Sequence, residues 1–513
     1  MLELRGYQKR SLETLELYLR RCTQVGAKRA FIETVERPYK PVQQLPALPY
    51  VCLRIPTGGG KTLMASHTLG IVADCYLQSE RAVCLWLGPT NTIREQTLAA
   101  LRDRRHPYRA ALESRFSGQV TVLDLTEALY LQRSTLAGET VVIVSTLAAL
   151  RRDDTEGLKV YEANGALQHH FTGLNDAQKQ QLETRDDGVV PPSLCNALRL
   201  WRPVVIMDEA HNARTQLSFE TLARFNPSCV IEYTATPETT HNPEKGLFAS
   251  NVLTHVSAAE LKIADMVKLP IRLKTGSDWK EVSSEALAMR VELEEIAKQE
   301  EQQTGEYIRP IVLFQAQAKS STKATLTVEV VKQALIEDYK IPEDQIAVAT
   351  GQTRELENVN LFDPACPIRF IVTVQALREG WDCSFAYVLC SVADIGSSRS
   401  VEQLLGRILR LPRARKKKNE ALNCAYAFAA SPRFIEAAAS LKDALVENGF
   451  EKIEADDLVQ KYDRQRTFTE DVPLFIESEE PVEELPDFEH LTPDLRGRVS
   501  YDRAERVLKA TGV

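Results

Sequence analysis

The chain has 513 residues, of which 44% are apolar and 26% are charged, and its net charge is −8. This composition is typical of a globular protein with about three domains, and it contains no apolar run of about 18 residues that would predict a membrane span. The first residues also lack the apolar core of a secretion signal. Ten cysteines occur without a C-x-x-C pair. They predict reduced core thiols in a cytoplasmic protein and argue against a zinc site.

The charge is unevenly distributed along the chain. Residues 467–494 contain ten acids and no lysine or arginine, which more than accounts for the negative total. Residues 399–418 contain eight basic residues and one acid. The acidic total is therefore compatible with a basic surface that binds a polyanion.

The first element with a chemical signature is a strand, a glycine turn and a helix at residues 50–77. The strand-like "YVCLRI" precedes "PTGGGKT", and the helix-compatible "TLMASHTLGIVADCYL" follows. Gly58, Gly59 and Gly60 would let backbone N–H groups converge on an anion at the N-terminus of the helix. The pattern predicts a phosphate-binding loop, although a simple turn between strand and helix is the alternative.

Two residues after the glycines supply the expected side-chain contacts of such a loop. Lys61 would reach the β- and γ-phosphates of a nucleotide, and Thr62 would offer its hydroxyl to a magnesium ion. The match is to the short form of the motif, which includes Thr57, because Ile55 stands where the longer consensus has a small residue.

Apolar strand-like runs alternate with helical stretches in two series. The first series comprises residues 82–88, 141–146, 203–209 and 229–237, and the second comprises residues 311–317, 345–350, 369–375, 386–392 and 424–430. Such strands separated by helices predict parallel sheets covered on both faces, and two series predict two α/β domains. A charged helix at residues 277–307 is expected to join or open the second domain, and residues 151–200 are interpreted as an insertion in the first.

These patterns predict four parts of the chain. We expect an N-terminal extension at residues 1–45, the first α/β domain at 46–262, the second at 263–440 and a C-terminal extension at 441–513. The last part is expected to be helical and then acidic, and its final "AERVLKATGV" to be a helix that is cut off. We therefore expect that the chain is a fragment or that it depends on a partner.

Two carboxylates follow an apolar strand in "VVIMDEAHNA". Ligands of a parallel sheet bind where the strands end, so Asp208 would hold magnesium and Glu209 would orient and deprotonate an attacking water. On its own, an Asp-Glu pair at the end of a strand usually indicates only a solvated turn. The phosphate loop upstream makes nucleotide hydrolysis the better interpretation.

A second basic constellation lies in "EQLLGRILR". On a helix, Gln403, Arg407 and Arg410 stand at i, i+4 and i+7, so that all three would project from one face. A solvated stripe is the alternative. Facing a phosphate loop of another domain, the two arginines would act as arginine fingers that complete the site when the domains close.

Four motifs in this order resemble those of superfamily 2 helicases. "PTGGGKT", "DEAH", "TAT" and "QLLGRILR" look like motifs I, II, III and VI of that superfamily. "RGYQ", "GPTNTIREQ", "IEYTATP" and "ALREGWDC" most closely resemble the motor part of the restriction subunit of type III restriction enzymes, over about residues 1–430. The resemblance implies two tandem RecA-like parallel-sheet domains with an N-terminal helical extension and a C-terminal helical, acidic segment, and ATP with Mg²⁺ as ligands.

The resemblance also implies roles for further residues. Gln8 resembles the glutamine that reads the adenine edge, whereas the alternative is an exposed polar residue on a first helix. Residues that resemble coupling positions are His211, Thr234 and Thr236, and those that resemble the nucleotide-contacting motif V are Gly380 and Asp382. Residues that resemble contacts to a nucleic-acid backbone are Thr90, Arg94, Thr146 and Thr373, although each alone is as compatible with a helix cap or a core edge.

Two features near the second basic constellation are open to two readings. Trp381 is a stacking wedge or, more often for such a residue, part of a core. The basic run comprises Arg413, Arg415, Lys416, Lys417 and Lys418, and it is either a solvated loop or a surface that faces phosphates.

The resemblance ends after the motor. Type III restriction subunits carry a nuclease after it, and no set of acidic and lysine residues in the required arrangement follows here, so no nuclease is predicted in this chain. Nothing resembles a methyl-donor site. We therefore expect an ATP-dependent helicase or translocase that acts on DNA, with double-stranded DNA as the favoured substrate. We expect it to function in prokaryotic defence, together with a partner subunit that supplies specificity or cleavage. The alternatives are a DEAH-type RNA helicase and a nucleotide-dependent clamp or sensor.

Overall fold

The computed structural model of the protein has two compact units, at residues 1–462 and 463–513. It describes residues 3–45, 47–116, 118–151, 159–185, 188–209, 214–242, 247–319, 325–350, 355–356, 359–374, 383–392, 408–430, 434–447, 450, 452, 458–462, 477–481, 499–502 and 507–511. None of the helices in this described part of the chain is both long and apolar enough to cross a membrane.

The first sheet of the larger unit has seven strands, all parallel. They are β1 Tyr50–Arg54, β2 Val83–Gly88, β3 Val120–Asp124, β4 Thr140–Thr146, β5 Val204–Asp208, β6 Cys229–Thr234 and β7 Val252–His255, in the spatial order β3-β4-β2-β5-β6-β1-β7. The predicted first series is confirmed, and β3 and β7 are added at the two edges.

The second sheet of the same unit also has seven parallel strands. They are β8 Ile271–Gly276, β9 Ile311–Gln315, β10 Ile346–Val348, β11 Phe370–Thr373, β12 Ala386–Ser391, β13 Ala425–Ala430 and β14 Val459–Lys461, in the order β10-β11-β9-β12-β13-β8-β14. The predicted second series is confirmed. The two sheets with their helices are two RecA-like α/β domains.

Helices connect the strands and cover the sheets. They are α1 Gly6–Val25, α2 Ala27–Val35, α3 Lys61–Val72, α4 Asn91–Arg102, α5 Pro107–Phe116, α6 Leu125–Ala128, α7 Arg133–Gly138, α8 Leu147–Leu150, α9 Asp176–Lys179, α10 Leu194–Trp201, α11 Gln216–Arg224, α12 Ala258–Ile263, α13 Trp279–Thr304, α14 Val328–Glu337 and α15 Phe434–Glu447. The charged helix α13 follows β8, so it lies inside the second domain and does not open it. A π-helical turn at Ala73–Leu77 extends α3.

Alternate residues of the first sheet face two separate cores. In β2, for example, Cys84 and Trp86 pack in one core and Leu85 and Leu87 in the other. Because strands in the middle of the sheet bury both faces, their sequences are nearly continuous apolar runs. The inferred insertion contributes to the second of these cores through α10.

All ten cysteines are free thiols, and all but Cys366 are buried. The prediction of reduced core thiols is therefore confirmed. Burial raises the pKa of eight of these thiols, for example to about 12 in Cys229, so that those eight remain protonated at neutral pH.

The smaller unit contains an antiparallel sheet of three strands. They are β15 Glu477–Pro481, β16 Val499–Asp502 and β17 Val507–Thr511, with β17 in the middle. The prediction of a helix at the end of the chain is wrong, because residues 507–511 form this central strand. Pairing on both sides supplies the hydrogen bonds of the backbone there, and such pairing overrides a local helix propensity.

Candidate nucleotide site

The glycine loop that was predicted to bind phosphate lies between β1 and α3. Gly58 and Gly60 have left-handed backbones, with φ of 87° and 78°, a conformation that glycine adopts without steric cost. A Cβ at position 60 would lie 2.6 Å from Nε2 of Gln8, and one at position 59 would lie 2.4 Å from Cγ2 of Ile55. The glycines are therefore required by both backbone conformation and space, and α3 begins directly at Lys61.

The carboxylates of motif II meet this loop at the carboxyl edge of the sheet. Thr62 Oγ1 donates to Asp208 Oδ2 at 3.0 Å. Burial, and then the neighbouring Glu209 carboxylate, raise the pKa of Asp208 to about 6, although Lys61 and the Thr62 hydroxyl act in the opposite direction. The site thus holds a carboxylate whose negative charge is not fully compensated by the protein.

Asp208 and Thr62 fit a magnesium ion. Asp208 Oδ1 is buried and has no hydrogen-bond partner among the residues that the structure describes. A carboxylate oxygen beside a threonine hydroxyl is the kind of oxygen donor set that Mg²⁺ takes together with phosphate oxygens and water. The predicted metal-binding residues therefore lie together.

Lys61 and Glu209 form an ion pair across the same site. The distance from Lys61 Nζ to Glu209 Oε1 is 2.6 Å, and Lys61 Nζ also donates to the carbonyl of Ile55 at 3.4 Å. Glu209 has a φ of 54°, a left-handed backbone that a glutamate keeps only where its surroundings hold it. Its backbone N–H donates to the carbonyl of Tyr233 at 2.8 Å, which fixes the turn after β5 against β6.

An arginine of the second domain lies against the phosphate loop. A Cβ at Gly58 would lie 3.8 Å from Cγ of Arg410 and 3.2 Å from Cγ1 of Val267. The structure therefore places the side-chain stem of Arg410 beside the glycine loop, and its role as an arginine finger stays a prediction. Arg407 and Gln403 lie outside the described residues.

The helical position predicted for Arg410 is wrong. Ile408 is helical, Leu409 lies in a turn, and Arg410 forms an isolated antiparallel bridge with Val267. Pro412 explains the difference, because the residue before a proline is forced out of the helical region, and Leu411 is extended with a ψ of 132°. The helix must therefore end before Leu411.

Gln8 is buried beside the phosphate loop, and the alternative of an exposed polar residue is wrong. Its Nε2 donates to the carbonyl of Gly59 at 3.2 Å, and its Oε1 accepts from the backbone N–H of Arg5 at 2.9 Å. The hydroxyl of Tyr7 donates to the same Gly59 carbonyl at 2.7 Å. Helix α1 thus carries two side chains that hold the loop, and the sequence did not reveal the contact of Tyr7.

Two predicted coupling residues are at the end of β6: Thr234 is its last residue and Thr236 follows it. Strand β6 pairs with β1 on one side and with β5 on the other. The buried Thr234 accepts a hydrogen bond from the backbone N–H of Thr236 at 3.2 Å. His211, the third predicted coupling residue, lies outside the described residues.

The predicted nucleic-acid contacts have diverse environments. Thr90 and Thr146 each cap a helix, with their hydroxyls accepting from Ile93 N at 3.5 Å and Ala149 N at 3.2 Å. Arg94 pairs with Glu95 at 2.9 Å. The side chain of Thr373 is fully buried at the end of β11. Gly380, Trp381 and Asp382 lie outside the described residues.

The basic run of the second domain is divided between core and surface. Lys417 is buried, and its ammonium pairs with Glu306 at 2.6 Å and donates to the carbonyl of Pro412 at 3.0 Å. It is therefore not part of a phosphate-facing surface. The four other cations, Arg413, Arg415, Lys416 and Lys418, are exposed.

The fold and these residues define a class of protein. Two RecA-like domains, a glycine-lysine loop that meets an Asp-Glu pair, and an arginine of the second domain beside that loop are the features in which the chain resembles the motors of superfamily 2 helicases. Residues 1–239 match the family described as "Type III restriction enzyme, res subunit". The chain is therefore similar to this family over these residues, which are less than half of its length.

Similar solved structures include two restriction enzymes and a helicase. A DNA-bound ATP-dependent type ISP restriction-modification enzyme, LlaBIII, is 14% identical with a TM-score of 0.42, and the alignment covers 90% of this chain and 30% of that one. A fragment of a type I restriction enzyme HsdR subunit from Vibrio vulnificus is 14% identical, with a TM-score of 0.40 and coverage of 84% and 64%. The helicase Lhr of Mycobacterium smegmatis, bound to single-stranded DNA and AMP-PNP, is 14% identical, with a TM-score of 0.41 and coverage of 99% and 60%.

The chain thus spans from about a third to less than two thirds of the length of these three proteins. No curated protein matches the sequence significantly.

Proposed function

We propose that the chain is an ATP-dependent helicase or translocase that moves on DNA, with double-stranded DNA as the favoured track, in prokaryotic defence. The observation that supports it most is the assembly of Lys61, Thr62, Asp208 and Glu209 in the first domain with Arg410 of the second against Gly58. A site shared by two domains changes when they move, and this property is what couples a chemical step to motion.

Each side chain has a distinct task in this proposal. Lys61 leaves Glu209 and binds the β- and γ-phosphates, so the ion pair is broken when nucleotide enters. Asp208 and Thr62 would hold Mg²⁺, which neutralises charge on the phosphate oxygens when bound. Glu209, once released, orients the attacking water and accepts its proton.

Arg410 would neutralise the charge that develops on the γ-phosphate. Its backbone bridge to Val267 keeps it beside the loop, and its partner in the proposed site is Arg407. An arginine finger typically contributes about 10³- to 10⁵-fold to turnover. The motor would hence hydrolyse ATP slowly until the second domain is correctly placed.

Gln8 would select adenine as the base. Its amide is fixed at both ends by Arg5 N and the Gly59 carbonyl, so it is oriented without nucleotide. Because the same amide contacts the phosphate loop, base recognition and phosphate binding would be linked through one side chain. Gly380, Asp382 and Gln403 are proposed to complete the nucleotide contacts, and His211, Thr234 and Thr236 to couple hydrolysis to domain movement.

The DNA backbone would lie along the carboxyl ends of neighbouring strands. Thr90 and Arg94 follow β2 and Thr146 ends β4, and these two strands are paired in register from Val83–Val141 to Gly88–Thr146. Hydroxyls and an arginine in such a row suit phosphate oxygens and give grip without reading sequence. A partner subunit would supply sequence specificity or cleavage.

The experiment that tests the proposal is ATP hydrolysis by the purified chain at two salt concentrations. Turnover is measured alone and with double-stranded DNA, single-stranded DNA or RNA. We expect strong stimulation by duplex DNA that weakens with salt, as expected for phosphate contacts. Stimulation by RNA only would identify an RNA helicase, and slow hydrolysis with every saturating nucleic acid would identify a nucleotide-dependent clamp or sensor.

A further inference from the structure

The connection between the two domains is paired with the segment that carries Arg410. After α12, the backbone N–H of Lys268 donates to the carbonyl of Leu409 at 2.6 Å, and that of Leu411 donates to the carbonyl of Met266 at 3.1 Å. The bridge between Val267 and Arg410 lies between these two bonds. Residues 266–268, which we call the connector, therefore form a short antiparallel ladder with residues 409–411.

Lys268 anchors the connector in the core of the second domain. Its side chain is fully buried, and its ammonium donates to the carbonyls of Ser384, at 2.9 Å, and of Ala386. The same ammonium lies 3.9 Å from the centre of the Tyr387 ring, within the range of a cation–π interaction. A buried ammonium is costly unless such contacts are present, so its position is tightly constrained.

The anchor and the ladder converge on the phosphate loop. Val267 lies next to Lys268, and its Cγ1 is 3.2 Å from the position that a Gly58 Cβ would take. Arg410 lies beside it, at 3.8 Å. Lys268 is thus joined through its side chain to the start of β12 and the turn before it, and through its backbone to the segment 409–411 that contains Arg410.

We propose that Lys268 is a positioning residue for Arg410: its buried ammonium fixes the connector, and the connector ladder holds the arginine against the phosphate loop. This inference rests on the proposed function, in which Arg410 contacts the γ-phosphate. Lys268 itself does not touch the nucleotide. It acts because a side chain that must reach a reacting group tolerates little displacement, and a shift of about 1 Å can lower turnover about 100-fold.

The test compares Lys268→Met, Arg410→Ala and the double variant in the whole chain. Methionine keeps much of the apolar stem and removes the ammonium. Lys268→Met is expected to lower kcat for ATP about 10- to 100-fold while KM changes less than about threefold. If Lys268 acts through Arg410, Lys268→Met causes no further loss in the Arg410→Ala background.

A matched control is Arg309→Met. Arg309 is also a buried cation of the second domain that donates to backbone carbonyls, those of Asp363 at 2.9 Å and Cys366 at 2.7 Å. Among the residues that the structure describes, none of its hydrogen bonds joins the connector. Each variant is assayed at a temperature where it is fully folded. Arg309→Met is expected to lower the melting temperature and to keep kcat within about twofold of the unsubstituted chain.

Amide hydrogen exchange gives a readout that is independent of activity. In Lys268→Met, peptides that cover residues 266–268 and 409–411 are expected to exchange at least about tenfold faster, whereas Arg309→Met leaves them unchanged. Lys268→Arg, which can still donate to both carbonyls, is expected to restore part of the protection and of kcat.

The outcomes separate this inference from the proposed function. Two outcomes would overturn only the role of Lys268. One is a loss of kcat in the double variant that equals the product of the losses in the two single variants. The other is unchanged exchange of the ladder amides in Lys268→Met. A normal kcat in Arg410→Ala would instead overturn the assignment of Arg410, and with it the proposed site. Loss of kcat in Arg309→Met as large as in Lys268→Met would show that general destabilisation of the domain explains both.

Discussion

Lys61 Nζ lies 2.6 Å from Glu209 Oε1, so the lysine that would bind phosphate is paired with the carboxylate that would activate water. The pair is partly buried, with the Lys61 side chain 9% exposed and that of Glu209 26% exposed. Each side chain thus neutralises the charge of the other. The ion pair must break before Lys61 can bind phosphate and before Glu209 can activate water.

The first prediction concerns Glu209→Gln. The variant removes the proposed base and is expected to lower kcat by at least about 100-fold. It also removes the negative charge of Glu209, which competes with phosphate for Lys61. ATP binding is therefore expected to tighten about fivefold, the factor that corresponds to about 1 kcal/mol for a partly exposed pair. Single-turnover kinetics and equilibrium binding of a fluorescent ATP analogue measure the two effects separately.

Glu238→Gln provides a control near the same domain edge, because Glu238 lies outside the site and caps a turn at Thr240 N. It is expected to leave both quantities within about twofold. Weaker ATP binding in Glu209→Gln would contradict the idea that the ion pair competes with phosphate.

The second prediction concerns Lys61→Ala. Removing the ammonium is expected to lower kcat/KM for ATP by at least about 100-fold, because a charge aimed at the transferred phosphoryl group is lost. Thermal unfolding is expected to change little, since the pair with Glu209 is only partly buried. Lys9→Ala is the matched control: Lys9 is an exposed lysine that pairs with Glu3 at 3.0 Å. Normal turnover in Lys61→Ala would show that the loop does not bind the phosphates.

The third prediction concerns the pH dependence of stability. Burial raises the pKa of Asp208 from its ordinary 3.8 to about 6, so the folded chain binds this proton more tightly than the unfolded chain. The ionised carboxylate therefore lowers stability above pH 6, and this cost disappears as the pH falls from about 6 to below 4. Asp208→Asn is expected to raise the free energy of unfolding without nucleotide by at most about 3 kcal/mol at pH 8, and by nothing near pH 3.5.

Chemical denaturation at several pH values measures this gain, and metal titration tests its counterpart. Because Mg²⁺ competes with the proton on Asp208, its apparent affinity is expected to fall about tenfold per pH unit below pH 6. A pH-independent effect of Asp208→Asn on stability would show that the carboxylate is not perturbed as described.

Sequence patterns predicted the parts of the fold whose signals are local. The strands in the middle of each sheet bury both faces and therefore appear as apolar runs, such as Val204–Asp208 and Ala386–Ser391. The strands that were missed have alternating or weak patterns, because one side of each is partly exposed. Val120–Asp124 and Val252–His255, at the two edges of the first sheet, are examples.

The sequence predicted which residues belong to the candidate site, but it did not predict which of them contact each other. The loop with Lys61 and the pair with Asp208 are defined by short motifs, and the structure brings them together. The bridge between Arg410 and Val267, and the contact of Gln8 with Gly59, join residues far apart in the chain, and no local pattern reports such pairs. A buried ion pair between Arg214 and Glu232 was missed for the same reason.

The fourth prediction concerns this ion pair, whose Glu232 lies on β6, the strand between β5 and β1. Arg214 contacts Glu232 and donates to the carbonyls of Phe248, at 2.7 Å, and Ala249, at 2.8 Å, and Tyr50 donates its hydroxyl to the same carboxylate. Both charged side chains are less than 5% exposed. Arg214→Met leaves a buried carboxylate without its cation and is expected to cost about 3–5 kcal/mol of stability at pH 8.

Two comparisons distinguish loss of the charge pair from loss of packing. Burial raises the pKa of Glu232 even with Arg214 present, and without it the carboxylate is expected to take up a proton, so the cost of Arg214→Met becomes smaller at pH 5 than at pH 8. The double variant Arg214→Met/Glu232→Leu removes both charges and is expected to be more stable than Arg214→Met alone. Denaturation midpoints at the two pH values measure these differences. A cost that is equal at both pH values and additive in the double variant would mean that Arg214 stabilises the strand Cys229–Thr234 through its packing and carbonyl contacts, and not through the charge of Glu232.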